Sequence, residues 1–176
     1  VPVSYRIPAQ ELHQAIEQLA ADIARRHPRT PRLVLLGVAN GGIELARRIA
    51  DLLPGRATGT IDISFHRDDI DNQPIPKEYQ PTVIPVDVTG ATVILIDDVL
   101  HSGRTIKAAL DELFDHGRPS KVELAVLIDR GGRLLPVSPD YTGLVLDATG
   151  AEKVVVVLDP ENPADDHAEI VPAKTR

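Results

Sequence analysis

Apolar positions along this chain follow two rhythms. Leu12, Ala15, Ile16, Leu19, Ala20, Ile23 and Ala24 recur every three or four residues, which predicts an amphipathic first helix ending near His27 and Pro28. Residues 33–38 and 93–96 are apolar without a polar break, as in strands buried on both faces of a parallel sheet. Each run passes through a short polar loop into a helix. The first reaches Ala39, Asn40, Gly41 and Gly42, then Ile43, Ala46, Ile49, Ala50 and Leu53; the second reaches 97–105, then Ile106, Ala109, Leu110, Leu113 and Phe114, with Gly117 as the stop. Further strands are predicted at 83–86, 122–128 and 154–158. Ile61, Ile63 and Phe65 alternate with Asp62 and Ser64, a half-exposed strand entering a loop over 68–81. Pro74, Pro76, Pro81 and several charges keep that loop irregular, a composition suited to a lid. Strands alternating with helices predict an α/β fold with a mainly parallel sheet flanked by helices. No internal repeat is present. The expected organisation is a single domain over 1–158, then an acidic, proline-bearing and loosely held extension over 159–176.

Composition narrows the picture. With 176 residues, 43% of them apolar and 26% charged, the chain is long enough for one sizeable core. There is no cysteine, so disulfides, a thiolate nucleophile and zinc–thiolate sites are excluded, and metal chemistry must use oxygen or imidazole. No apolar run approaches the roughly 20 residues of a membrane span, and a cytoplasmic location is the expectation. Aromatic residues make up 3%, too few for a platform that stacks single-stranded bases. Nineteen Lys and Arg against 26 Asp and Glu leave a net charge of −7, which disfavours RNA as a partner because phosphate contacts dominate such binding. Arg25, Arg26, Arg29 and Arg32 cluster with His27, with Arg47, Arg48 and Arg56 further on; they form either a local basic face or a solvated helix end.

The chemistry is densest in 93–105, VILIDDVLHSGRT. Asp97 and Asp98 fall at the carboxyl end of a strand, where ligands of open α/β sheets bind. Residues 101–105 open a helix whose first N–H groups suit a phosphate. Gly103 permits close backbone approach, Ser102 and Thr105 offer hydroxyl donors, and Arg104 adds charge. Two carboxylates beside a phosphate would repel it. They make sense facing neutral hydroxyls, such as the cis-diol of a ribose, or holding a Mg²⁺ that bridges diol and diphosphate. The plainer alternative has the aspartates end a strand and Ser102 cap a helix. Asn40, Gly41 and Gly42 offer a second set of backbone amides to an anion, or simply end one element and open the next.

Residues 93–105 resemble the phosphoribosyl-pyrophosphate (PRPP) motif of type I phosphoribosyltransferases. Together with 62–70 (DISFHRDDI), 85–90 (PVDVTG), the HGRPS that ends the following helix and 124–136 (LAVLIDRGGRLLP), they resemble the PyrR family over roughly residues 5–143. That resemblance implies the type I phosphoribosyltransferase fold, with a flexible lid loop and a small hood, and a uracil phosphoribosyltransferase that makes UMP and pyrophosphate. Many such proteins also bind RNA as attenuators of pyrimidine operons. Mg²⁺ with PRPP, and a homodimer or homotetramer, are implied too. By resemblance, Asp97, Asp98, His101, Ser102, Gly103, Arg104 and Thr105 bind PRPP, with Asp97 catalytic and both aspartates meeting Mg²⁺. Asn40, Gly41 and Gly42 hold the pyrophosphate; Arg67, Asp68 and Asp69 open the flexible loop, with Arg67 over the leaving diphosphate and Lys77 a further phosphate candidate. Ile128, Asp129, Arg130 and Gly131 form the base pocket, and Asp140 and Tyr141 keep the family's Asp-Tyr. Three departures stand out. Gly41 replaces the arginine of a Thr-Arg-Gly loop and looks more like the Gly-Gly loop of purine enzymes; Gly132 stands where histidine is common; and LVLDAT from Leu144 replaces Lys-Asn-Ile-Pro-Thr-Ser. Three expectations follow: a uracil phosphoribosyltransferase, a nucleotide-responsive RNA-binding regulator with weak or lost catalysis, or a purine phosphoribosyltransferase.

Overall fold

The computed structural model describes residues 5–66, 81–148 and 152–172. In chain order the elements are β1 (Tyr5–Pro8), α1 (Ala9–Arg26), β2 (Leu33–Val38), α2 (Gly41–Leu52), β3 (Ala57–Ile61), β4 (Thr92–Leu100), α3 (Arg104–Asp115), β5 (Lys121–Asp129), β6 (Tyr141–Val145), β7 (Glu152–Val157) and β8 (His167–Pro172), with a short 3₁₀ turn at Pro163–Asp165. Five strands form a parallel sheet in the order β3-β2-β4-β5-β6. Three form a separate antiparallel sheet in the order β1-β8-β7.

Strand alternation explains the layers. Leu33, Leu35, Ile94, Ile96, Ala125 and Leu127 point to one face, where Leu12, Ile16, Leu19 and Ile23 of α1 and Leu45 and Ile49 of α2 cover them. Val34, Leu36, Val38, Val93, Leu95, Leu124 and Val126 point to the other, against Ile106, Ala109 and Leu113 of α3. Both faces are therefore dry, and β2 and residues 93–96 of β4 read as unbroken apolar runs. The chain leaves β2 for β3 on one side, while β4 continues to β5 and β6 on the other. That reversal of strand order between β2 and β4 opens a crevice at their carboxyl ends.

One buried charge ties α1 to the sheet. Glu123 of β5 is 1% exposed, accepts hydrogen bonds from Tyr141 (2.6 Å) and Lys121 (2.5 Å), and pairs with His27 Nε2 at 2.7 Å, with Arg26 at 3.4 Å. Burial by itself pushes its carboxyl up, but the hydrogen bonds from Lys121, Tyr141 and His27 reverse this and hold it at about 2.

Several expectations change. Residues 83–86 form no strand; Val83 makes only an isolated bridge to Thr60. β3 ends at Ile61, because Asp62 turns the chain by accepting bonds from Ser64 N (3.1 Å) and Oγ (2.7 Å), which leaves Phe65 69% exposed. The tail after Asp159, expected to be loosely held, pairs through β8 with both β1 and β7. Its anchor is Asp166, 2% exposed, which pairs with Arg48 of α2 and His13 of α1 (2.7 Å) and accepts the Asp159 N–H at 2.7 Å. Among the described residues, no helix is long and apolar enough to cross a membrane.

Glu123 sets an acid limit on stability. Its folded value lies below the unfolded one, so its stabilisation is present above pH 4.5 and is lost as pH falls toward about 2, on the order of 3 kcal/mol in full. Chemical denaturation across that window is expected to show this loss in the parent chain and a flatter profile in Glu123→Gln.

Candidate active site

A cavity of about 560 Å³ lies at the β2–β4 crevice, lined by Asn40, Gly41, Asp97, Asp98, His101, Ser102, Arg104, Thr105 and Arg130, and roofed by Lys153 and Val154 of β7. Sheet geometry places the acid pair. β2 pairs with β4 only as far as Gly37 opposite Ile96, whereas β5 continues alongside to Leu100 opposite Asp129. Asp97 and Asp98 thus lie within β4 rather than beyond it, in the stretch where one neighbouring strand has already turned away.

Both carboxyl groups are perturbed. Asp97 is 5% exposed, and burial followed by the adjacent Asp98 charge pushes its carboxyl well above the ordinary range. Asp98 is also pushed up by burial, opposed by its hydrogen bond from the Val99 N–H (2.8 Å) and by the charge of Lys153. No described Lys or Arg lies within ion-pair distance of either. Two adjacent carboxylates with hard oxygen donors fit Mg²⁺, the cation that the fold family implies, and a cation there would reverse the cost of ionising them.

Two helix N-termini flank the pair. α2 begins at Gly41 and α3 at Arg104, so the first turn of each borders the cavity, where helix N–H groups have no intrahelical acceptor. Gly103 adopts φ +90° just before α3, and Ser102 Oγ accepts the Arg104 N–H at 3.3 Å. Packing dictates the glycines of the other loop. A Cβ at Gly42 would lie 2.0 Å from the Ile96 carbonyl oxygen, and one at Gly41 would lie 2.3 Å from Asp98 Oδ2. The first turn of α2 therefore rests directly on the backbone and carboxylate that β4 presents.

Other residues of the expected set fall elsewhere. Gly42 is buried beneath the cavity wall, and Ile128 belongs to the apolar core. Asp129 is bound to Arg133 Nη2 (2.5 Å) and to the Gly131 N–H (2.9 Å), so of the expected base-pocket residues only Arg130 lines the cavity. Arg67, Asp68, Asp69 and Lys77 lie outside the described residues. Two contributors carried no local signal. Arg133 also donates to the His101 carbonyl (2.9 Å) and the Val137 carbonyl (3.1 Å), clamping the 131–137 turn against the 101–105 segment, while the Leu134 and Leu135 N–H groups bond Ser102 O at 3.0 Å. Lys153 enters from the small sheet. At Gly132, with φ +72°, a Cβ would meet the His101 ring at 2.9 Å, so in this chain an imidazole reaches that place from the 101–105 segment. Burial, Arg130 and Arg133 hold His101 below its ordinary value.

A sequence profile described as phosphoribosyl transferase domain matches residues 8–160. The bifunctional protein PyrR of Corynebacterium glutamicum is 47% identical over 156 residues, covering 85% of this chain and 79% of that relative. That of Akkermansia muciniphila is 43% identical over 154 residues, covering 85% and 86%. The chain belongs to the PyrR family of the phosphoribosyltransferases. Solved structures share the fold at lower identity: a hypoxanthine-guanine phosphoribosyltransferase from Bacillus anthracis superposes with a TM-score of 0.70 at 21% identity, covering 97% of this chain and 99% of that one. The hypoxanthine phosphoribosyltransferase of Trypanosoma cruzi gives 0.66 at 19%, covering 98% of each. The small sheet β1-β8-β7 is the hood of this PyrR-family fold.

The raised Asp97 carboxyl yields a test. A group that titrates higher in the folded chain destabilises it above the unfolded value, so Asp97→Asn is expected to raise Tm at neutral and alkaline pH, with the gain vanishing below about pH 3.8. Scanning calorimetry across pH checks the sign and the window.

Proposed function

We propose that this chain is a uracil phosphoribosyltransferase of PyrR type, moving the phosphoribosyl group of PRPP to uracil and giving UMP and pyrophosphate. The observation that carries this reading is an acid pair, Asp97 buried and Asp98 half-buried, between two helix N-termini on one cavity. The 5′-phosphate sits on Ser102, Arg104, Thr105 and the opening amides of α3, the ribose hydroxyls donate to Asp97 and Asp98, and the pyrophosphate meets Asn40 and the amides of α2. Mg²⁺ bound with PRPP at Asp97 and Asp98 supplies neutralising charge to the diphosphate.

The reaction is a displacement at ribose C1. The bond from uracil N1 to C1 forms as the bond from C1 to the diphosphate oxygen breaks, and the N1 proton departs. No protein nucleophile takes part. The protein positions both substrates, and a carboxylate at Asp97 stabilises positive charge developing on the sugar. Arg67 closes over the diphosphate in this scheme and excludes water that would hydrolyse PRPP. Lys153 offers a positive donor from the hood, in a chain whose LVLDAT lacks the lysine of the family pattern; an N–H donor in the cavity suits a pyrimidine carbonyl.

In the Gly-Gly loop that favoured a purine substrate, Gly42 has a packing cause independent of the base, since a Cβ there would meet the Ile96 carbonyl oxygen at 2.0 Å, whereas the neighbour at Gly41 is the Asp98 side chain. The relatives' printed name, bifunctional, favours a second activity, for which RNA binding is the candidate. Its basic face is weakened by internal pairing. Arg25 pairs with Asp22, Arg26 with Glu123 and Asp140, Arg47 with Glu44 and Asp51, and Arg48 with Glu44 and Asp166. A homodimer or homotetramer belongs to the same proposal, with Val145, 78% exposed on the edge strand β6, available for burial.

Pyrophosphate release from PRPP and Mg²⁺, measured separately with uracil, hypoxanthine, guanine, xanthine and orotate, is expected to respond to uracil, with Asp98→Asn lowering kcat/KM by about 100-fold. Release with hypoxanthine or guanine alone contradicts the assignment. A mobility shift with pyrimidine leader RNA that depends on UMP supports the regulatory activity.

A further inference from the structure

Near the carboxyl end of α3, away from the cavity at its N-terminus, three side chains from two separate segments converge. His66 Nε2 lies 3.0 Å from Glu112 Oε2 and 3.4 Å from Asp115 Oδ2, and one ligand atom from each residue falls within 4.8 Å of the others. We propose that His66, Glu112 and Asp115 form a site for a divalent transition-metal cation of the Zn²⁺ class, distinct from the Mg²⁺ expected at the acid pair.

Spacing supports this. Zn²⁺ bonds nitrogen and oxygen at about 2.0–2.2 Å, which sets tetrahedral neighbours about 3.4 Å apart. The separations around His66 already approach that edge, so a cation takes the place of the proton between imidazole and carboxylate with little movement. Donor chemistry selects the metal class. One imidazole and two carboxylates favour Zn²⁺ or its neighbours over Mg²⁺, which prefers oxygen ligands and retained water. The site is also reachable, since the Asp115 side chain is 70% exposed and that of His66 25%.

Glu112 is held by an outer layer of hydrogen bonds of the kind that orients ligands in metal sites. Its Oε1 accepts the Thr82 hydroxyl at 2.7 Å and pairs with His116 Nε2 at 3.1 Å, leaving Oε2 turned to His66. Thr82 is fixed in turn by the Asp62 N–H at 2.9 Å. His66 stands on the chain leaving β3 and Glu112 on α3, so a bound cation would cross-link two segments that the apolar core also joins.

The test uses the full chain in excess Mg²⁺, which occupies the acid pair, with Zn²⁺ followed by equilibrium dialysis and Co²⁺ by visible absorption. The expected result is one Zn²⁺ per chain, a tetrahedral Co²⁺ spectrum, and a rise in Tm with Zn²⁺. His66→Ala and Glu112→Gln, each first shown to keep a cooperative thermal transition, are expected to abolish the spectrum. His116→Ala is expected to weaken capture about tenfold, and Asp98→Asn to leave it intact. Equal Zn²⁺ capture by the parent and His66→Ala, or no Co²⁺ spectrum in the parent, overturns the proposal.

Discussion

Consecutive carboxylates, one buried and one half-buried, with no described arginine or lysine in ion-pair contact, set the terms for the architecture around them. Ionising Asp97 next to Asp98 in that setting is unfavourable, and the charge of Lys153 offsets this only in part at Asp98. Everything adjacent accommodates the arrangement. β2 stops pairing with β4 one residue before the pair, α2 starts on two glycines so that its first turn clears Ile96 and Asp98, and α3 starts just beyond. A bound cation or a row of sugar hydroxyls would recover what the free protein forgoes. Stability withheld at this point is affinity held in reserve.

The hood depends on the same helix that begins at the Asn40–Gly41 wall of the cavity. α2 begins at Gly41 in the cavity wall and, two turns later, presents Arg48, which pairs with Asp166 and donates to the Asp159 carbonyl at 2.7 Å. Asp166 in turn fixes the return of the chain into β8, and β8 carries β7 with Lys153 over the cavity. Roof and floor are thus referenced to one rigid element. The turn at 131–137 is fixed differently, by Arg133, whose guanidinium joins Asp129, His101 and Val137.

Local pattern disclosed the parts that local forces build. Residues 33–38 and 93–96 announced the two central strands because both faces are buried, and the Asp97–Thr105 run announced the loop because a strand, an acid pair and a helix N-terminus follow in order. What stayed hidden is non-local. β1 pairs Tyr5 with Ile170, contacts between chain ends that no short window can register, and an acidic tail reads as solvated until Arg48 is found beneath Asp166. Lys153 was equally silent, since its strand was legible but not the sheet it joins. Val83 shows the reverse error: apolar alternation suggested a strand where the proline-flanked chain makes a single bridge.

The most direct measurement is calorimetric binding of PRPP with and without Mg²⁺, on the parent chain and on Asp97→Asn and Asp98→Asn. If the acid pair is the receptor for the sugar diol and its cation, the parent binds PRPP far more tightly with Mg²⁺, and either substitution removes most of that difference. Equal affinity with and without the cation, or a cation effect that survives both substitutions, contradicts the account.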